Sequence, residues 1–549
     1  MVNSRSSASI DPVTLEVVRH KLDGIANEME LTLLRSSFSP IVKEGLDASS
    51  SLFTVDGETL AQACSVPIHL ATLIPIVDRI ITTFPIATMR DGDIYIMNDP
   101  YLGGTHLPDI ALVTPIFGKS GKVMALAATM AHHQDVGGMS PGSIPTHATE
   151  IFQEGLRIPP LKFYEAGVLN QTLDAMLRLN VRIPDTLMGD INAQIAGCKI
   201  GIRRLLDLEN AYGEDQLKTM FTALLDHSER MTAEALRTIP PGCYTYTGWL
   251  DNDGIDNEKM VKIQVAVEVG EGRFHVDFTG TSDQLRGPFN CVSSGSRAAA
   301  YFAIRVLTNP DIPTNGGCFR TVSLTLPEGS LVNPRSPAPV CSRTSTIKRI
   351  AACMLGAFKD VLPDRVGADS ASTLTAVAFG GHDADGKAFV VGELIAGGNG
   401  ASVAGDGVDV IETDASNCMN YPAEAIEMGA PIRVHRMALR KGSGGEGQFR
   451  GGLGLIKEFE VLSDRVTVTH RGEGHRYEAR GSHGGDAGQP AHSFIIRASG
   501  QQEPIVSKIV TTLNRGDRLV VETAGGGGWG RPDMRTTEAR QADVAAGKV

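Results

Sequence analysis

No Cys-x-x-Cys pair occurs in this sequence; its 8 cysteines, at 64, 198, 243, 291, 318, 341, 353 and 418, are scattered. That excludes a zinc ribbon or a small disulfide scaffold and makes reduced cytoplasmic thiols the simplest reading. Basic blocks are missing too, and a formal net charge of -12 spread along the chain argues against nucleic acid or an anionic membrane as the main partner. The most apolar run, Ile68 to Ile81, meets proline and charge well before the roughly 18 residues of a membrane span. Met1 to Ser9 is polar and lacks the apolar core of a secretory signal. There is no Gly-x-x-x-x-Gly-Lys-Ser/Thr phosphate loop. One Gly-x-Gly-x-x-Gly match, at 442, 444 and 447, has neither a clear strand before it nor a helix after it and reads as a glycine-rich turn.

What is present fits an acidic globular enzyme of 549 residues, 42% hydrophobic and 21% charged, with room for about two to four domains. Glycine is abundant at 61 residues, clustered at 397–400, 442–454, 472–488 and 525–530, which predicts ordered loops with close backbone approaches. Asp11-Pro12 is a helix start, and Leu15, Val18, Leu22, Ile25, Met29 and Leu33 form one stripe behind it, with Pro40 as the stop. A strand follows Asp47-Ala48 and closes at Asp56-Gly57; a second helix opens at Pro67 and runs to 83. Asp93 to Met97 alternates like a strand, and Val123 to Met130 reads as a buried strand of an α/β type of sheet. Residues 184–236 are helical, 242–278 a set of hairpin strands with an Asn252-Asp253-Gly254 turn, and 295–308 and 343–360 helical again. The predicted class is α+β (mixed α/β), multi-layered, with helices on mixed sheets. The predicted divisions are an α/β region at 10–240, a mixed region at 241–375, a β-rich, glycine-rich region at 376–532 and a tail at 533–549.

Chemistry-bearing residues concentrate in two loops at strand ends. The first, Asn98 to Asp109, ends in His106-Leu107-Pro108-Asp109; the second carries His132, His133 and Asp135 before Gly137-Gly138. A turn can converge His106 and Asp109 on one ion, or the histidine can simply hydrogen-bond the aspartate. Adjacent strand residues point to opposite faces, so only one of His132 and His133 faces the first loop. If His132 does, His133 and Asp135 share the other face, where they could act as an acid/base pair or orient a ligand. Mixed imidazole and carboxylate ligands suit zinc, manganese or iron. Other candidates are bland: Asp251 to Gly254 and Asp383 to Gly386 lack the remaining ligands of a calcium loop, and His69, at a helix start, could approach the site but reads more readily as a structural histidine. Ser143 and Ser345 lack a nucleophile elbow, and Cys291 and Cys318 lack a base.

Five segments in order resemble the hydantoinase B/oxoprolinase family: Asn98 to Asp109, His132 to Ser143, Arg286-Gly287-Pro288, Gly442 to Gly445 with Arg450 to Gly454, and Gly525 to Gly530. The likeness runs from about residue 10 to 532. That family comprises B subunits of ATP-dependent hydantoinases and lactamases, the matching half of 5-oxoprolinase, and subunits of acetone and acetophenone carboxylases. The resemblance implies a hetero-oligomer with an A-type subunit that binds ATP and Mg and phosphorylates a cyclic amide. It also implies a divalent metal, zinc, manganese or iron, on Asp47, His106, Asp109 and His132, with His133 or Asp135 handling protons or holding a ligand in orientation. The text around Asp47, from Lys43 to Ser50, departs from the family's usual Arg-Asp-Phe-Ser-Cys wording, which leaves Glu44 as a substitute. Two readings stay open beside amide hydrolysis: a ketone carboxylase subunit, and a non-catalytic scaffold for the A subunit.

Overall fold

The computed structural model describes residues 10–69 and 71–549; the reading of Met1 to Ser9 lies outside them. Helix α1 (Pro12–Ser36) begins where expected, with the Asp11 carboxylate accepting the Thr14 N–H at 3.0 Å and proline in the first turn. Its buried stripe is Val18, Leu22, Ile25, Met29 and Leu33. The segment expected as one helix from Pro67 is instead a 3-10 turn, Pro67–His69, followed by a helix at Leu73–Thr83; Ala71, with φ at 59°, interrupts it. Likewise 184–236 is two helices, α2 (Pro184–Tyr212) and α3 (Glu214–Leu236), broken at Gly213 with φ at 83°.

The first sheet holds β1 (Ala48–Phe53), β2 (Thr59–Gln62), β3 (Ile94–Met97), β4 (Asp109–Phe117), β5 (Val123–His132), β6 (Leu161–Glu165) and β7 (Val168–Leu169), in the order β2-β1-β5-β4-β3-β6-β7. All its pairings are antiparallel, as suits the α+β class. The connection from β4 to β5, residues 118–122, is too short for a crossover helix. Helices nevertheless cover both faces. Met124, Ala125 and Ala127 pack with α1 and α3, whereas Leu126, Ala128 and Met130 pack with the 73–83 helix. Burial on both faces is why β5 reads as a continuous apolar run without alternation.

A second sheet, order β11-β10-β9-β8, uses β8 (Gly242–Leu250), β9 (Val261–Gly270), β10 (Arg273–Asp277) and β11 (Val322–Thr325). It shares a core with α4 (Ser293–Leu307) and α5 (Arg343–Gly356). No tight turn links β8 to β9. Asp251 is buried there and accepts the N–H groups of His475, Arg476 and Tyr477 at 2.8, 3.1 and 3.2 Å, which pins a longer loop to the distant carboxy-terminal chain.

The remaining strands are β12 (Leu374–His382), β13 (Ala388–Ala396), β14 (Ile432–Leu439), β15 (Leu455–Val461), β16 (Val466–Arg471), β17 (His492–Ile496), β18 (Gln502–Pro504), β19 (Lys508–Leu513) and β20 (Arg518–Glu522). They form two sheets, β13-β12-β16-β19 and β14-β15-β20-β17-β18, around a core including Val377, Phe379, Phe459, Val468 and Leu519. A helix, Thr537–Ala545, ends the chain, tied by Asp543 to Arg450 and Arg535.

The glycine clusters interlock through main chain. Gly445 N–H donates to Gly526 O, Gly526 N–H to Gly452 O and Gly528 N–H to Asp486 O, each at 2.9 Å. A Cβ on Gly526 would lie 2.0 Å from the Asn399 carbonyl oxygen, which cannot yield without breaking the lattice of loops. A second long-range tie is the buried Glu154 carboxylate, which accepts Val340 N–H and Cys341 N–H at 2.8 Å each. Burial pushes its carboxyl up to about 8 despite those two amides.

We expect Gly526→Ala to destabilise the protein by about 3 kcal/mol, the upper end of overpacking costs, in denaturant unfolding. Gly429→Ala, where a Cβ meets nothing within 4 Å, is the matched control and should change little. Because the Glu154 carboxyl is raised in the folded state, the folded protein binds the extra proton, so its contribution to stability falls as pH rises toward and through about 8. Unfolding temperatures measured from pH 6 to 9 should therefore drop less in Glu154→Gln than in the wild type.

Candidate metal and anion site

Strand register builds the first half of the site. Asp109 is the first residue of β4, His132 the last of β5, and the two are direct partners across the ladder. On the other side of β5, Ala131 pairs with Ala48, and His132 N–H donates to the Asp47 carbonyl at 3.0 Å. Asp47, His132 and Asp109 thus stand in one row at one end of three adjacent strands. His106 reaches the row from the turn before β4, its Nε2 3.1 Å from Asp109 Oδ1 and its ring centroid 5.0 Å from that of His132. His106, Asp109 and His132 offer donor atoms that all lie within 4.8 Å of one another.

Asp47 lies outside that tight set but is coupled to it by His69, whose Nε2 is 3.5 Å from Asp47 Oδ1 and 3.8 Å from Asp109 Oδ2. His69, read from sequence as structural, is therefore part of the cluster. Glu44 sits at the end of the short helical turn Pro40–Lys43, with no side-chain contact to the cluster among the described residues. His133 and Asp135 are not brought to the cluster either. His133 Nε2–H donates to Gln194 Oε1 at 3.1 Å, on the side of β5 that faces α2. Asp135, beyond the strand where alternation no longer applies, accepts Gly137 N–H, Gly142 N–H, Arg182 N–H and Arg182 Nη1 at 2.9–3.1 Å. Neither touches the other; one braces the sheet against α2 and the other ties the second loop together.

Sequence reasoning also missed Arg343, the first residue of α5, which donates through Nη2 to Asp109 Oδ2, and Arg471, the last of β16. A signal was available in both: a charged residue flanked by the apolar or small residues of a buried element, Ser342 and Thr344 in one case and Val466 to Thr469 in the other. With Asp47, His69 and His132, both arginines line a cavity of about 50 Å³, walled by Ile68, Ile144 and Leu374 among others.

The protonation logic is informative. His106 Nδ1 lies 2.8 Å from the Cys341 carbonyl, which can only accept, so Nδ1 carries the proton. A neutral ring then presents the Nε2 lone pair to an Asp109 oxygen that also only accepts. Burial holds the His106 ring below its ordinary value, disfavouring the imidazolium that would resolve the conflict. Burial alone would raise Asp109, but its charged surroundings, the Arg343 guanidinium among them, hold the carboxyl well below the usual range. His132 is kept neutral by burial, and its Nδ1 is buried with no hydrogen-bond partner among the described residues. Neutral imidazoles around an ionised carboxylate are the states in which these groups bind a divalent cation. The donor set fits such an ion.

The hydantoinase B/oxoprolinase family profile matches residues 11–532. An uncharacterized protein of Methanocaldococcus jannaschii is 35% identical, over 98% of this chain and 94% of its own. The caprolactamase subunit beta of Pseudomonas jessenii is 31% identical, over 98% of this chain and 94% of its own. The crystal structure of the ATP-dependent caprolactamase from that organism superposes with a TM-score of 0.90 at 30% identity, covering 98% of this chain and 95% of that one. A nucleotide-free acetone carboxylase structure shares the fold at a TM-score of 0.88 and 19% identity, covering 98% of this chain and 78% of that one. The chain belongs to the hydantoinase B/oxoprolinase family.

Proposed function

We propose that this chain is the B-type subunit of a cytoplasmic, ATP-dependent hydrolase of a cyclic amide: a hydantoin, 5-oxoproline or another lactam. The amide class is supported by the likeness to caprolactamase over nearly the whole chain at 30% identity. What carries the chemistry is the His106–Asp109 contact, two acceptors at 3.1 Å whose pairing is relieved by a cation between them. His106, Asp109 and His132 would hold a zinc, manganese or iron ion, with Asp47 completing the set. Such an ion supplies Lewis acidity toward a carbonyl or phosphoryl oxygen. Around it, the Cys341 carbonyl fixes the His106 tautomer, and Arg343 together with the Thr105 hydroxyl orients Asp109 and keeps it ionised. Ile68, Ile144 and Leu374 exclude bulk water, which strengthens every charge interaction inside. The chain carries no phosphate loop, so activation of the amide by ATP is assigned to an A-type partner subunit.

Metal analysis of the purified chain tests the site. Wild type should carry a stoichiometric divalent ion and His106→Ala should lose it, whereas an unchanged ion content would remove the basis of the proposal. Asp135→Ala should behave oppositely, keeping the metal while losing about 3 kcal/mol of stability, because it strands several buried donors. For the reaction, coexpression with the A-type partner and ATP-dependent turnover of a lactam panel, with and without bicarbonate, is the direct assay. Lactam opening independent of bicarbonate is the expected outcome; turnover requiring a ketone and bicarbonate would overturn it.

A further inference from the structure

Among the described residues, every buried lysine or arginine but one has a partner for its charge. Lys348 meets Glu412 at 3.0 Å, Lys457 meets Glu393 at 2.7 Å, and Lys508 meets Glu473. Arg450 reaches Asp409 and Asp543 at 3.3 and 3.4 Å, Arg349 stacks on the Tyr477 ring at 4.7 Å, and Arg343 holds Asp109. Arg471 has no carboxylate within 4 Å and no aromatic face. Its sole contact is Nη1 to the Cys341 carbonyl at a marginal 3.4 Å, and its Nε is unbonded. Yet it is only 4% exposed. An isolated buried guanidinium is costly, and structural arginines do not normally stay that way.

The orphan faces something. Arg471 lines the same cavity as Arg343, whose Nε is also buried and unbonded, beside the metal-capable cluster. Arg343 opens α5, so the positive end of that 14-residue helix dipole meets the cavity as well, at Thr344. Of the carboxylates at or beside the cavity, Glu393 is spent on Lys457 and Asp109 on Arg343, which leaves only Asp47 opposite Arg471; a divalent cation joining the cluster adds to the positive side. A planar fork of N–H donors with an unspent edge is the group that recognises an oxyanion.

We propose that Arg471 and Arg343 form an oxyanion subsite that takes the phosphoryl group of the activated substrate next to the metal cluster. This rests on reading the cavity as the substrate site, and it gives that site a second function: capturing a phosphorylated compound handed over by the partner, with the phosphate on the arginine side and the reacting carbon toward His106 and His132. Arg471 binds the group directly, while Arg343 spends one edge on Asp109 and offers the other.

Thermal unfolding and isothermal titration of the full chain, stripped of metal, with inorganic phosphate against acetate and bicarbonate at matched ionic strength, test the subsite. Wild type should bind phosphate and unfold at a higher temperature with it. Arg471→Met should unfold at a higher temperature than wild type in phosphate-free buffer, because an unpaired buried charge is gone, and should lose phosphate affinity by roughly 30-fold or more. If Arg471→Met unfolds at a lower temperature, or keeps the phosphate response, the arginine is structural and the proposal fails. Should that variant not fold, Arg471→Lys decides: the charge without the fork should bind phosphate about tenfold more weakly, and unchanged affinity overturns the idea. Binding of acetate or bicarbonate but not phosphate overturns the phosphoryl assignment. His106→Ala separates the two readings: loss of metal with phosphate binding intact supports both, and metal retained beside an Arg471-dependent phosphate response sinks the metal site alone.

Discussion

The ladder register between β4 and β5 is the constraint on which the site depends. Because Asp109 and His132 are direct partners, and β1 lies on the other side of β5, three polar side chains are carried to one strand end with no loop needed to hold them. A slip of one residue would turn each of them to the opposite face of the sheet. The apolar packing on both faces of β5 forbids that slip, so the core that makes the sheet stable also fixes the geometry of its most polar corner. Arg471 apart, charge is tolerated at that corner because groups answer one another: Arg343 answers Asp109, the Cys341 carbonyl answers His106, and the Glu154 carboxyl holds the Cys341 amide in place.

Much of this was legible in the residues. The two His/Asp loops, the buried run Val123 to Met130 and the start of α1 are local signals, and local signals survive folding. β4 was not recognised. Its text, Asp109 to Phe117, is largely apolar, but Pro115 within it argues against a central strand, and Asp109 closes a stretch that reads as a loop. With β4 unrecognised, the pairing that sets Asp109 beside His132 could not be derived. Period-two alternation does not extend to Asp135, which lies past the end of the strand in a turn whose left-handed glycines, Gly137 and Gly138, redirect the chain.

His69, Arg343 and Arg471 carry only weak signals, for a different reason. They come from distant stretches and meet only in three dimensions, and each alone looks like a common structural residue. Burial is what distinguishes them, and burial of a charged side chain at a helix start or a strand end is a tertiary property. The glycine clusters were read correctly as ordered. What the sequence could not disclose was their mutual dependence, in which loops from four separate stretches donate main-chain hydrogen bonds to one another.

The order in which the cavity's wall arrives has a consequence during synthesis. The row of Asp47, His132 and Asp109 is complete once the first sheet has left the ribosome, but β16, with Arg471, emerges near the end of the chain. Until then the imidazoles stand open to solvent and to whatever ions the cell offers. The later sheets, β16 with Arg471 among them, then close over the row like the last course of a vault.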